Sequence, residues 1–181
     1  MHNTIDRIKL FDLKIGNFSL EYSDWLNDTE TNCFLESKYI KHTVDSCNKY
    51  ILDSNNKNNI IFKGIFLLDT DIHIGNIRLE LDLNHNRATI GFLLGEKKYW
   101  GQGYMSEALN LFLNYVFNNT VINKIEAGCY ESNIGSLKTM LKVGFTLEGF
   151  RRESVLYKEK REGLFQLGIT KNDYNLRSYN A

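Results

Sequence analysis

Residues 97–108, KKYWGQGYMSEA, set Gly101 and Gly103 just after an apolar strand and directly before a helix. Glycine lets the backbone turn without a Cβ penalty and come close to a ligand. The free N–H groups of a first helical turn, with the positive end of the helix dipole, favour negative charge. The segment therefore reads as an anion cradle, and a phosphate-bearing cofactor is its natural occupant. Its spacing excludes two other phosphate loops. A P-loop needs lysine and Ser/Thr after the second glycine, where Tyr104 and Met105 stand, and Ser106 takes the place of the third glycine of a dinucleotide fingerprint. Two glycines before a helix also suit plain turn and capping chemistry, so the neighbouring residues decide.

Those neighbours fall in one order over residues 89–152. TIGFLLG (89–95) leads into YWGQGY (99–104) and a helix carrying Glu107 and Ala108. NKIEAGCY (123–130) precedes Asn133 and Ser136, followed by KVGF (142–145) and Glu148-Gly149. In these motifs the chain resembles the GNAT superfamily of acetyl-CoA-dependent acyltransferases, in its RimJ/RimL-like branch. The likeness is close through the central and C-terminal parts and looser up to about residue 69.

The resemblance implies an acetyl-CoA site. The diphosphate of coenzyme A would sit on residues 98–103, held mainly by the backbone of Gly101, Gln102, Gly103 and Tyr104. Lys98 stands where Gln or Arg is more usual and supplies charge without the planar fork of arginine. Tyr99 and Trp100 read as corner packing rather than ligands. The pantetheine arm would lie along the main chain of Phe92, Leu93 and Leu94, where a β-bulge opens the sheet and one N–H meets the thioester oxygen. Asn133 is an N-cap on any account, and the resemblance adds a pantetheine contact. Ser136, one turn later, is the candidate to protonate the departing thiolate.

Many relatives use a tyrosine seven residues after the asparagine as general acid, but this chain has Met140. An ordinary thiol has a pKa of about 8.5, so departure as thiolate near neutral pH costs only about 2 kcal/mol. The base is sought among Glu80, Glu126 and Glu131, on or beside strands near the expected cleft, against the plainer reading of solvated strand glutamates. His73 and His85 rank below them. Without a strong base the acceptor amine should have a low pKa. A lysine side chain at about 10.4 needs about 4.6 kcal/mol to lose its proton at pH 7, against about 1.4 for an α-amine near 8, which disfavours lysine acceptors.

The elements that position these residues follow from periodicity. Residues 7–13 alternate as a strand. Residues 17–36 read as short helices and 43–52 as a further helix. Strands are expected at 60–68, 72–83 and 87–94, forming a meander through turns at 69–71 and 84–86. The helix over 103–118 carries Met105, Ala108, Leu109, Phe112 and Val116 on one stripe. A strand at 122–130 is followed by a helix at 133–142 with Leu137 and Leu141 inward and Gly144 as its stop. Strands at 145–152 and 164–170 complete an α+β domain. With the resemblance, this is a GNAT-like three-layer α/β/α arrangement, its mixed, mostly antiparallel sheet splayed at the cofactor site.

The 181 residues fit one domain, residues 1–181, able to bury about 70% of the surface of the unfolded chain. Lys and Arg number 22 against 22 Asp and Glu, with no basic footprint for nucleic acid. Residues 1–7 lack an apolar signal core and no stretch is long enough to span a membrane, so a cytoplasmic protein is expected. Cys33, Cys47 and Cys129 read as reduced thiols, and His2, His42, His73 and His85 lack ligand spacing, so no metal is expected. The expected partners are acetyl-CoA and an amine of a small molecule or a protein N-terminus, with a homo-oligomer left open. DWLND (24–28) followed by Phe34-Leu35-Glu36 resembles branch members that acetylate nucleotide-linked amino sugars for surface polysaccharides, which makes such a sugar the favoured acceptor. Protein N-terminal acetylation and a non-catalytic coenzyme A-binding protein are the alternatives, with an antibiotic or polyamine acceptor ranked below the sugar and the N-terminus.

Overall fold

A computed structural model describes residues 6–16 and 19–180, with side chains as far as residue 177. His2, the first five residues and the expected helix start at Asn17 lie outside the described residues. The order is β1 (Ile8–Asp12), α1 (Ser19–Asn27), a 3-10 turn (Glu36–Tyr39), α2 (Val44–Asn55), β2 (Ile60–Leu67), β3 (His73–Asp82), β4 (Arg87–Leu94), a second 3-10 turn (Lys97–Tyr99), α3 (Tyr104–Asn119), β5 (Lys124–Tyr130), α4 (Ile134–Val143), β6 (Thr146–Tyr157), β7 (Lys160–Thr170) and α5 (Lys171–Asn180).

The strands form one seven-stranded sheet in the order β1-β2-β3-β4-β5-β7-β6. All neighbours are antiparallel except β4 and β5, which run parallel and pair only over Arg87, Thr89 and the residue between, opposite Lys124, Ile125 and Glu126. Beyond those rungs the two strands part, so residues 90–94 of β4 face a gap. This is the expected splay, but its cause is different. The β3–β4 register runs unbroken from Asp82 and Arg87 to Gly75 and Leu94, so β4 has no bulge, and the sheet opens because β5 diverges.

Strand alternation sends residues to two cores. Ile74, Ile77, Leu79, Ala88, Ile90, Ile125 and Ala127 pack under α3 and α4, where Phe112 and Phe117 are almost wholly buried. Each such large side chain contributes ~1.5–3 kcal/mol. On the other face Leu13, Phe62 and Phe66 pack against Tyr22, Trp25 and Leu26 of α1 and Ile51 of α2. Helices thus cover both faces, as the three-layer reading requires.

The predicted α3 stripe is buried throughout. The α4 stripe differs from expectation. Leu141 is 47% exposed, whereas Met140 and Val143 are buried and Leu137 only partly packs inward. Spacings of three from Leu137 set the inward row. Gly144 ends α4 at φ 105°, the left-handed stop expected of it. Strands β6 and β7 are longer than expected, forming one hairpin through Lys158 and Glu159, and α5 was not expected at all.

Candidate active site

Gly101 and Gly103 both have positive φ, 71° and 85°, which side-chain-bearing residues rarely adopt. Gly103 is the N-cap of α3 and offers no capping side chain. The first helical bond runs from Glu107 N to Gly103 O (3.1 Å), so the amides of Tyr104, Met105 and Ser106 precede it and need another acceptor.

Arg7, just before β1, holds this corner. Its guanidinium makes a two-pronged pair with Glu107 (Nε to Oε2 2.9 Å, Nη2 to Oε2 2.9 Å) while its backbone N donates to Oε1 (2.6 Å). It also donates to the Gln102 carbonyl at 3.2 Å and lies 4.1 Å above the Tyr104 ring. A Cβ at Gly103 would stand 3.7 Å from Arg7 Nη2 and 3.9 Å from Lys142 Nζ. Together with exposed Lys98, these groups make the cradle electropositive. Lys97 is committed elsewhere, to Asp28 at 2.9 Å and Glu30 at 2.8 Å, and its hydrogen bond holds the Asp28 carboxyl down at about 2.

The aromatic pair of the loop is structural, as expected. Trp100 Nε1 donates to Leu94 O (2.7 Å), tying the loop to β4, and Tyr99 meets Tyr104 edge-on at 5.1 Å. These amides, positive-φ glycines and cations fit a diphosphate. Among the described residues no group of His, Cys, Asp and Glu could hold a metal ion.

The open edge of β4 is next to the cradle. Gly95 N donates to Ile74 O (2.9 Å) and Asn123 N to Asn86 O (2.7 Å), and main-chain groups alternate sides along a strand. Even-numbered β4 residues therefore turn N–H and C=O toward β5. In the gap, Phe92 presents both groups, Leu94 has its carbonyl taken by Trp100, and the main chain of Leu93 faces β3. Of the expected trio, Leu93 is thus in the wrong orientation for a pantetheine contact through its backbone.

Across the gap, β5 leads into the N-terminus of α4. Asn133 caps that helix, its side chain accepting from Ser136 N at 3.1 Å, and Ser136 lies half-buried in the first turn. Met140 is completely buried in the core and has no proton to donate.

A cavity of about 610 Å³ occupies the α1/α2 face. Gly91 and Leu93 of β4 floor it, with Asn76 and Arg78 of β3 beside them, while Tyr22, Tyr50 and Glu36 are among its walls. Its carboxylate is Glu36, whose Oε1 accepts a 2.6 Å hydrogen bond from Tyr130 Oη. Burial first, and then Glu36, push the Tyr130 phenol far above its ordinary range, so it stays protonated. Lys38 Nζ donates to Tyr130 Oη (3.4 Å) and to Cys33 O (3.0 Å), and lies 4.7 Å over the Tyr130 ring.

None of the glutamates expected as base lines this cavity. Glu80 and Glu126 both pair in register with Thr89, at the closed end of the sheet. There Glu80 meets Arg78 (3.1 Å), and Glu126 meets Arg87 (3.2 Å) and Lys124 (3.5 Å). Glu131 lies past β5 and accepts from Gly163 N at 3.1 Å, bracing the β6–β7 hairpin. His73 is buried under the cavity floor, His85 sits in the β3–β4 turn, and it is His42 that lines the cavity. Glu36 entered the sequence reading only through the Phe34-Leu35-Glu36 motif, and its pairing with Tyr130 escaped because the two are 94 residues apart. The one available signal was alternation, which puts Tyr130 on the opposite face from Ala127 and Cys129.

The acetyltransferase (GNAT) domain family matches the chain over residues 17–146. The uncharacterized N-acetyltransferase p20 of Bacillus licheniformis is 31% identical over 111 residues, 61% of this chain. The match spans 62% of that relative's own length. Among solved structures, spermidine N-acetyltransferase of Vibrio cholerae, in complex with CoA and spermine, superposes with a TM-score of 0.83 at 16% identity, covering 94% of this chain and 99% of that one. RimL, a ribosomal alpha-N-protein acetyltransferase in complex with coenzyme A, superposes with a TM-score of 0.78 at 15% identity, covering 92% and 95%. At such identities the two structures speak for the fold alone.

Proposed function

Since the chain belongs to the GNAT acetyltransferase family, we propose that it transfers the acetyl group of acetyl-CoA to a primary amine. The observation that carries this is the shared gap: an anion cradle on the α3 side and a cavity on the α1/α2 side meet at residues 90–94 of β4, which pair with β3 but not with β5. Acetyl-CoA supplies the acetyl group already activated as a thioester.

In this reading the amides around Gly101, Gln102, Gly103 and Tyr104 hold the diphosphate, with Arg7, Lys98 and Lys142 adding charge. Phe92 contributes main-chain groups to the pantetheine, and its N–H, fixed before reaction, is placed to stabilise charge on the acyl oxygen. Asn133 holds the arm from the α4 side. Glu36 removes the proton of the attacking amine, replacing Glu80, Glu126 and Glu131 in that role, and Tyr130 orients its carboxylate. Ser136 protonates the thiolate, a modest task because the thiolate leaves readily near neutral pH.

The favoured acceptor is the amino group of a nucleotide-linked sugar, and the branch is the RimJ/RimL-like one. Polar groups beside apolar walls, such as Tyr22, Ser37 and Asn76 against Leu26, Phe62 and Phe92, suit a ligand with both hydroxyls and C–H faces. The test is mass-spectrometric detection of transfer from acetyl-CoA to nucleotide amino sugars presented beside peptides with free N-termini. Acetylated sugar is the expected product. Acetylated peptides alone would make the protein an N-terminal acetyltransferase, and coenzyme A binding without any transfer would leave a non-catalytic binding protein.

A further inference from the structure

Two donors on the cavity floor have no task in the transfer step. Asn76 is 4% exposed, and its Oδ1 lies 2.8 Å from His73 Nε2, which is also 3.0 Å from the Gly75 carbonyl. An imidazole nitrogen facing a carbonyl oxygen at that distance must donate, so Asn76 turns its oxygen to His73 and its amide nitrogen away. That Nδ2 is buried without a hydrogen-bond partner. Buried polar groups in native proteins are nearly always paired, so an orphan donor on a residue that lines a cavity points to a missing acceptor.

Arg78 follows on the same face of β3. One arm meets Glu80 at 3.1 Å, while its Nε is buried with no partner. Its guanidinium lies 5.9 Å from the Tyr50 ring and its side chain is 27% exposed. Both residues line the cavity, and both present hydrogen-bond donors. The carboxylate of the same cavity, Glu36, comes from the 3-10 turn and is bound to Tyr130 of β5. The cavity is therefore polarised, with donors on β3 and an acceptor at Glu36. A ligand that is cationic at both ends would set an ammonium against Arg78, and a simple monoamine would leave the donors unpaired.

We propose that Asn76 and Arg78 form a subsite for an anionic oxygen group, a carboxylate or a phosphate, carried by the same molecule as the amine. His73 is the positioning residue that fixes which way Asn76 faces. This rests on the acetyl-transfer reading for the role of the amine, but not for the binding itself. It narrows the acceptor to amines with an attached oxyanion, whichever of the two supplies it.

Binding and turnover separate the two ideas. Calorimetric titration of the full chain, saturated with coenzyme A, would compare glucosamine 6-phosphate with glucosamine, and 4-aminobutyrate with putrescine. At least one anionic member should bind tenfold or more tightly than its partner, and the pair that does so identifies phosphate or carboxylate. Arg78→Met should erase that preference by weakening the anionic member of the pair that shows it. If the variant unfolds, Arg78→Lys, which keeps charge but loses Nε, should reduce the preference instead. Equal binding within both pairs, or a preference untouched by either variant, overturns the subsite. Selective binding with no acetylation of either ligand keeps the subsite and counts against the transfer reading.

Discussion

Gly103 carries the cradle through what it lacks. At φ 85° an added methyl costs ~1–2 kcal/mol of backbone strain and points toward Arg7 and Lys142. Gly103→Ala should therefore lower coenzyme A affinity by about tenfold, the equivalent of ~1.4 kcal/mol, as read by calorimetric titration. Unchanged affinity would detach the diphosphate from this corner. At Glu36 the expected loss is in rate: Glu36→Gln should cut kcat by about a hundredfold or more while the KM for acetyl-CoA holds. Tyr130→Phe should fall between the variant and the native chain. A rate insensitive to Glu36 would return the base to solvent. The glycines were legible in the sequence because a positive φ before a helix leaves a compositional mark. The proposed base was not, since a glutamate looks the same in sequence whether it meets an arginine, as Glu126 does, or lines a cavity, and Glu36, in a 3-10 turn, is joined to Tyr130 only by the fold.

At the scale of elements, the meander β2–β3–β4 and helix α3 were readable because their apolar periods are regular, and α4 from its Asn133 cap and Gly144 stop. The misses have local causes. The β6–β7 hairpin turns through Lys158 and Glu159, at φ 46° and 64°, residues that carry no turn signature where Asn-Gly would have advertised one. Helix α5 is too polar to show a core stripe, but its start was written in Thr170 and Asp173. Thr170 Oγ1 accepts from Asp173 N at 3.1 Å, and Asp173 Oδ2 accepts from Thr170 N at 3.2 Å, a reciprocal cap. Gly95, between β4 and the cradle, shows how closely elements meet: a Cβ there would lie 1.9 Å from the Trp25 ring of α1. Gly95→Ala should displace Trp25, which also donates to Glu96 at 3.2 Å, and cost at least ~1–3 kcal/mol of stability, seen as a lower midpoint in urea unfolding. An unchanged midpoint would mean that α1 shifts freely over the sheet end.

For the whole molecule, buried His73 makes stability depend on pH near neutrality. His73 lies between Trp25 and Phe66, each with its ring centroid 4.8 Å away, and burial pushes its pKa below the ordinary value despite the hydrogen bonds to Asn76 and Gly75. Between that lowered value and about 6.5 the unfolded chain binds a proton that the folded chain refuses. The contribution is complete above about 6.5 and is lost as pH falls from there toward the folded pKa. The unfolding free energy should fall as pH drops from 7 to 5, and His73→Gln should flatten the slope. An equal slope in the variant would place the proton elsewhere.

The parting of β4 and β5 also has a kinetic meaning. The cradle opens on the α3 side of the gap and the cavity on the α1/α2 side, so neither ligand blocks the other's entrance. In the proposed transfer, acceptor and acetyl donor then reside together, and no acetylated form of the protein has to carry the group between them. Initial rates at several fixed acceptor concentrations should give intersecting rather than parallel double-reciprocal lines, with free coenzyme A competing against acetyl-CoA but not against the amine.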